Sequence, residues 1–90
     1  MNQFKIIDRP LNGGTQKIYR FNNSYGASVI KHQYSYGGLN GKSELAVIKF
    51  DGDGEWDWNL CYDTEITNDV LGHLGDDEVT ETLRDIKALK

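Results

Sequence analysis

Two sets of residues in this chain could take part in chemistry: carboxylates in a glycine-rich segment, and one cysteine. Asp51, Asp53 and Glu55 alternate with glycines, and oxygen-rich loops of this kind can bind calcium. An EF-hand loop, however, needs glycine at its sixth position and a carboxylate at its twelfth, where this sequence has Trp56 and Tyr62. We therefore expect a solvated turn here, with no metal and no other cofactor.

Cys61 could act as a nucleophile if His32 or His73 supplied a base. Nucleophilic catalysis also requires an orienting group and an oxyanion site, and the sequence has no local signature of either. One cysteine and two distant histidines also lack a zinc-binding spacing. We expect no enzymatic activity, and we interpret Cys61 as a packed or edge-facing thiol.

Charge is divided unevenly along the chain. Residues 1–50 contain seven basic and two acidic residues, a net of +5, whereas residues 51–90 contain three basic and twelve acidic residues, a net of −9. This asymmetry predicts an acidic surface that binds a protein or ribonucleoprotein with a basic groove, where it could imitate nucleic-acid phosphates. The residues predicted to form the acidic part of this surface are Asp51, Asp53, Glu55, Glu78 and Glu81.

A glycine- and tyrosine-rich loop is predicted at residues 33–43. Tyr34 and Tyr36 are predicted contact residues, because tyrosine in loops offers a large contact area at low entropic cost. The alternative is that these rings fold inward. A second functional hypothesis is a nucleic-acid-binding module that combines the loop tyrosines with basic residues. Its basic residues would be Lys17, Arg20, Lys31 and Lys42.

The clearest structural signal is a β-hairpin. An apolar run ends at Phe50 and is followed by Asp51-Gly52-Asp53-Gly54, a sequence suited to a tight turn. Beyond the turn, large apolar residues occupy every second position, which predicts a strand with one inward-facing aromatic side. These residues are Trp56, Trp58, Leu60 and Tyr62.

The remaining elements complete an α+β fold. Strands are predicted at residues 17–21 and 27–34, with an edge strand at 4–8. A short helical turn capped by Thr67 or Asn68 is predicted through Leu71. The C-terminal segment has apolar residues at helical spacing, so it predicts a helix that covers the sheet. Those residues are Val79, Leu83, Ile86 and Leu89. We expect one domain, 1–90: an antiparallel meander sheet of four or five strands with this helix on one face.

A series of short motifs resembles a group of small uncharacterised proteins of bacteriophages and prophages. The motifs are Tyr19-Arg20-Phe21, Tyr25-Gly26-Ala27-Ser28-Val29-Ile30, Glu44-Leu45-Ala46-Val47-Ile48-Lys49-Phe50, Tyr62-Asp63-Thr64 and Ile66-Thr67-Asn68-Asp69-Val70. The resemblance spans nearly the whole chain and brings no catalytic residue with it. It implies a small accessory protein made in an infected bacterium, where it would inhibit a host defence system such as a CRISPR complex or assist phage replication.

The chain has no continuous hydrophobic segment long enough for a signal peptide or a membrane span. With a single cysteine, it cannot form an intramolecular disulfide. We therefore expect a protein of the host bacterial cytoplasm, without contact with a membrane.

Overall fold

The computed structural model describes residues 2–11, 13–31, 42–64, 66 and 70–89. The fold is α+β: six strands form one antiparallel sheet, and a C-terminal helix packs against it. In chain order the elements are a 3₁₀ helix (Asn2–Phe4), β1 (Lys5–Leu11), β2 (Gly14–Arg20), β3 (Tyr25–Lys31), β4 (Ser43–Phe50), β5 (Trp58–Leu60), β6 (Leu71–Leu74) and α1 (Asp76–Lys87).

Strands β1 to β5 follow one another across the sheet, which confirms the predicted meander. The edge strand β1 is longer than expected and includes Pro10, which is tolerated because an edge strand has one side free of ladder hydrogen bonds. Strand β2 begins at Gly14, three residues earlier than predicted, and the described part of the next strand ends at Lys31. Of the predicted loop at 33–43, residues 33–41 lie outside the described residues.

The β4–β5 hairpin is confirmed, with Phe50 opposite Trp58 and Ile48 opposite Leu60. Its second strand is shorter than the alternating pattern predicted: β5 spans residues 58–60, and beyond it the Cys61 N–H still donates to the Val47 carbonyl at 2.8 Å.

The helical turn predicted through Leu71 is wrong for the part that the structure describes. Residues Leu71–Leu74 form β6, which pairs with Ser43 and Leu45 on the same edge of β4 that β5 occupies further along. This strand is irregular: its register shifts between the two pairs, and His73 has a φ of 57°. The predicted caps, Thr67 and Asn68, lie outside the described residues.

The main core lies between the sheet and α1. Leu83 and Ile86 are buried against strand residues such as Val29, Leu45 and Val47, while Val79 and Leu89 pack at the margin of the cluster. The apolar stripe predicted for the C-terminal helix therefore covers the sheet as expected.

A second, smaller cluster occupies the opposite face of the sheet. It consists of buried Ile18, Ile48 and Phe50, and both outer strands contribute to it: Ile7 from β1 and Trp58 from β5. In a flat five-stranded sheet the outer strands would lie about 19 Å apart. The Arg9 guanidinium of β1 nevertheless lies 5.2 Å from the centre of the Trp56 ring, which is just before β5, so the sheet curls around this face.

Candidate functional site

The predicted acidic residues form two groups at opposite ends of the sheet. Asp51, Asp53 and Glu55 follow the end of β4, whereas Glu78 and Glu81 lie in the first turns of α1, beside the start of β4. The seven residue steps along β4 separate these ends by about 23 Å. The structure therefore does not bring all five carboxylates into one surface.

The loop between β4 and β5 is closed by its own hydrogen bonds. The main-chain N–H of Asp51 donates to the Asp57 carbonyl at 2.8 Å, and the N–H of Gly54 donates to the Asp57 carboxylate at 3.0 Å. The Asn59 amide donates to the Asp51 carboxylate. These contacts give a defined loop in which Asp51 and Asp57 each have a structural role.

Asp53 and Glu55 remain directed towards solvent. The Asp53 side chain is fully exposed, and its nearest cationic partner is the Arg20 guanidinium at 4.0 Å. At that distance and exposure the ion pair contributes little to stability. Of the three carboxylates predicted in this loop, Asp53 and Glu55 are thus the two available to a partner.

The predicted inward-facing aromatic side is wrong for most of its members. Trp56 and Leu60 are each 51% exposed and Tyr62 is 38% exposed, whereas Trp58 packs against the second cluster. The alternating pattern correctly places Trp58 and Leu60 on one face. That face has no helix over it, because α1 packs on the other side.

Trp58 has an unusual polar environment. Its indole Nε1 is buried and has no hydrogen-bond acceptor within the described residues. A buried donor without a partner lowers stability, so this position is maintained by the packing of the ring and not by its N–H group.

Arginines from the first two strands reach the same face. The Arg9 guanidinium lies 5.2 Å from the centre of the Trp56 ring, and its Nε donates to Gln16 at 2.8 Å. The Arg20 guanidinium lies 4.5 Å from the centre of the Phe50 ring. Basic side chains of the first half of the chain therefore stack on aromatic rings beside the acidic loop, and the charge asymmetry of the sequence is partly compensated in space.

The acidic residues of α1 are engaged in a different way. Glu78 accepts a hydrogen bond from the Gly75 N–H at 3.1 Å, which supports the beginning of the helix, and Asp76 lies 3.5 Å from Lys31. Glu81 is exposed. Aspartate and glutamate in the first turn also complement the helix dipole, so this group has a structural explanation without a partner.

Cys61 is held as a thiol. Burial raises the pKa of Cys61, and its hydrogen bond to the Asp63 carboxylate, 3.0 Å from Sγ to Oδ1, raises it further. The same bond lowers the pKa of Asp63, so that carboxylate is ionised at neutral pH and is a poor base. The arrangement does not generate a thiolate, and His32, one of the two candidate bases, lies outside the described residues.

Of the basic residues in the nucleic-acid hypothesis, Arg20 lies apart, whereas Lys17 and Lys31 line one cavity beside α1. Lys17 and Arg20 lie on opposite faces of β2, since side chains alternate along a strand. Lys31 pairs with Asp76, and Lys42 lies near the start of α1, with Nζ 3.6 Å from the place that a Cβ on Gly75 would occupy. Tyr34 and Tyr36 lie outside the described residues.

The sequence did not indicate that Arg9 is part of this site. It predicted an inward-facing Leu60, although that side chain is exposed beside Trp56. Both positions depend on the curl of the sheet, which brings β1 towards the loop before β5. The alternation of Trp56, Trp58 and Leu60 shows a shared face, but it carries no information on whether that face is covered.

Within the part of the chain that the structure describes, no three or more histidine, cysteine, aspartate or glutamate residues are grouped so as to hold a metal ion. No helix among these residues is long and apolar enough to cross a membrane. Comparisons with protein-family models, curated proteins and solved structures found no significant match to this chain.

Proposed function

We propose that this protein is a non-catalytic binding module that docks into a basic groove of a partner protein through the acidic hairpin, defined as residues 51–63. One observation carries the proposal. The large hydrophobic side chains that are exposed in the described residues all lie in this hairpin, together with the exposed carboxylates of Asp53 and Glu55. They are Trp56, Leu60 and Tyr62.

The two kinds of side chain have complementary roles in binding. Tryptophan and tyrosine are enriched among the residues that dominate interface energies, because each buries a large area when it enters a pocket. Carboxylates around such anchors steer a basic partner and accelerate association more than they increase affinity. Trp56 would therefore act as an anchor, with Asp53 and Glu55 as the charged rim.

The hydrogen bonds within the loop support this role. Asp57 and Asn59 hold the main chain and the Asp51 carboxylate in place, so the loop is ordered by contacts within the hairpin. A preorganised loop loses less conformational entropy on binding than a disordered one.

The resemblance to phage accessory proteins supports a bacterial host protein, alone or within a ribonucleoprotein, as the partner. Carboxylates in a basic groove would take the positions of nucleic-acid phosphates, which is a means of blocking a host defence complex. Direct binding of nucleic acid through Trp56 and Arg9 is less favoured, because Asp53 and Glu55 would repel phosphates next to the stacking surface.

The test begins with affinity capture from infected bacteria, using the wild type and two variants with the same charge change. The hairpin variant is Asp53→Lys/Glu55→Lys, and the helix variant is Glu81→Lys/Asp85→Lys. All four residues are exposed, so both variants should retain the fold. The partner identified with the wild type is then purified for kinetic measurements.

The hairpin variant should associate with the purified partner about tenfold more slowly or worse, and the helix variant should associate like the wild type. Added salt should slow association of the wild type. The proposal is wrong if the helix variant loses the partner while the hairpin variant keeps it. If the wild type instead retains a nucleic acid and the variant Lys17→Glu/Lys31→Glu does not, the nucleic-acid-binding function is established.

A further inference from the structure

A cavity of about 240 Å³ lies on the helix side of the sheet, between the N-terminal half of α1 and strands β2, β3 and β4. It is at the opposite end of the molecule from the acidic loop, because Ser43 begins β4 and Asp76 begins α1. The polar residues that matter for its chemistry are Lys17, Tyr19, Lys31, Ser43 and Asp76.

Two of these residues are buried as a whole, and their hydroxyl groups make no hydrogen bond to a described residue. Ser43 is 4% exposed and Tyr19 is 7% exposed. Burial raises the pKa of Tyr19, so its hydroxyl remains a donor at neutral pH. Both residues line the cavity, so an acceptor inside it could receive hydrogen bonds from these hydroxyl groups.

The ammonium groups add positive charge to the same space. Lys17 makes no ion pair with any described residue: Asp8, opposite it in the β1–β2 register, is instead 3.0 Å from Lys5. Lys31 pairs with Asp76 at 3.5 Å, but the Asp76 side chain is 89% exposed and can turn towards solvent. Two cations against one displaceable carboxylate leave the cavity with a net positive charge.

The start of α1 adds to this preference. Gly75, the N-cap residue, has no side chain to accept from the first-turn N–H groups, and Asp76, the next residue, lines the cavity. Helix N-termini favour anions, although the carboxylates of the first turn offset part of this effect.

We propose that this cavity binds the phosphate group of a small phosphorylated molecule. The donors come from three strands and surround the space, which suits a group with several acceptor oxygens. Planar carboxylates are better matched by arginine, and arginine is absent from the described lining, whereas lysine binds phosphate as a point charge. The volume corresponds to about eight water molecules, which leaves room for an organic group beyond the phosphate.

The experiment is a titration of the full chain, followed by amide chemical shifts, with a nucleoside 5′-monophosphate, the matching nucleoside and inorganic phosphate. The monophosphate should bind saturably and shift resonances of β2, β3 and the first turn of α1, and the nucleoside should not. Inorganic phosphate should bind the same site more weakly. A single-stranded oligonucleotide without terminal phosphate should not compete, which separates a terminal phosphate from a nucleic-acid backbone.

Substitutions test whether the side chains that line the cavity bind the phosphate group. Lys17→Gln should weaken monophosphate binding by about tenfold, and Ser43→Ala should weaken it without lowering the melting temperature, because the serine hydroxyl has no partner to lose. Asp76→Asn should tighten binding, a result that a merely structural role for Asp76 would not give. Lys49→Gln is the matched control, since Lys49 is exposed near the other end of the sheet.

The proposal is overturned if the monophosphate gives no saturable shifts at millimolar concentration. It is also overturned if Lys17→Gln and Lys49→Gln weaken binding equally, because that would indicate a general charge effect. The acidic hairpin is unchanged in all these variants, so the result is independent of the proposed partner-binding function.

Discussion

The side-chain amide of Asn23 donates a hydrogen bond to the main-chain carbonyl of Ile86, with 2.9 Å between Nδ2 and O. The same amide lies 2.8 Å from the carbonyl oxygen of Leu89, and its Oδ1 accepts from the Tyr25 N–H at 3.0 Å. The last carbonyls of a helix have no partners within the helix. Asn23 therefore satisfies the end of α1 from the β2–β3 turn and fixes the helix on the sheet.

Replacing Asn23 with alanine should lower the free energy of unfolding by about 1–3 kcal/mol, because the helix carbonyls lose a donor that water replaces incompletely. In a domain of this size, each kcal/mol corresponds to a fall of about 4–8 °C in melting temperature, which circular dichroism can measure. Asn22→Ala is the control: Asn22 is exposed in the same turn and should have little effect. Equal effects of the two substitutions would contradict this role for Asn23.

Gly26 should not tolerate a side chain. A Cβ at this position would lie 2.0 Å from the Tyr19 carbonyl oxygen and 3.0 Å from the Phe50 ring. Since the carbonyl belongs to the neighbouring strand, the sheet itself would have to move, and Gly26→Ala should cost about 3 kcal/mol in urea unfolding. Gly52→Ala is the comparison, because there the Cβ meets only the end of the Asp57 side chain. Similar losses for both would show that the strand contact is not decisive.

The ring of Trp58, and not its N–H group, should stabilise the fold. Trp58→Phe removes a buried donor without an acceptor and should leave the stability within about 1 kcal/mol of the wild type. Trp58→Ala should cost about 2–4 kcal/mol, since the second cluster loses a partly buried ring. A loss on Trp58→Phe as large as that on Trp58→Ala would mean that the indole N–H makes a necessary bond.

Replacing each tryptophan in turn should show that Trp56 and Trp58 differ in their exposure to solvent. In Trp58→Phe the remaining Trp56, half exposed, should be quenched readily by acrylamide, whereas in Trp56→Phe the remaining Trp58 should be protected. Equal quenching in the two variants would contradict the difference in burial.

Cys61 should react slowly with alkylating reagents at neutral pH. Its raised pKa means that the thiolate appears only as the pH rises above the ordinary thiol value of about 8.5, so the rate of alkylation by iodoacetamide should have its midpoint above that pH. Asp63→Asn removes the carboxylate that favours the thiol and should move the midpoint to lower pH. The protein unfolded in urea supplies the reference, and a midpoint below this reference would contradict the assignment.

Much of this fold could be predicted because the helical spacing and the turn residues depend only on residues that are close together in the sequence. The helical spacing of Leu83 and Ile86 and the turn residues after Phe50 specify α1 and the β4–β5 hairpin. Strand β6 was missed because Gly72 and the left-handed His73 weaken its pattern and its partner lies far along the chain. Long-range pairing of this kind has no local signature.

The candidate sites were only partly predictable for the same reason. Composition identified the acidic character of the loop containing Asp53 and Glu55, but the curl of the sheet decides that Arg9 meets Trp56 there. The cavity with Lys17 and Ser43 depends on how α1 crosses the strands, and no spacing in the sequence signals it.

Strands β5 and β6 lie along one edge of β4, where β5 ends at Leu60 and β6 begins at Leu71. The partners of these two residues, Ile48 and Leu45, are three positions apart, a distance of about 10 Å. A segment whose two ends are so close can change in length without altering strand register. Within the β5–β6 connection, the part between Asp63 and Val70 is therefore the place to graft an epitope or a reporter peptide, with Ile66 retained because it packs against the main core.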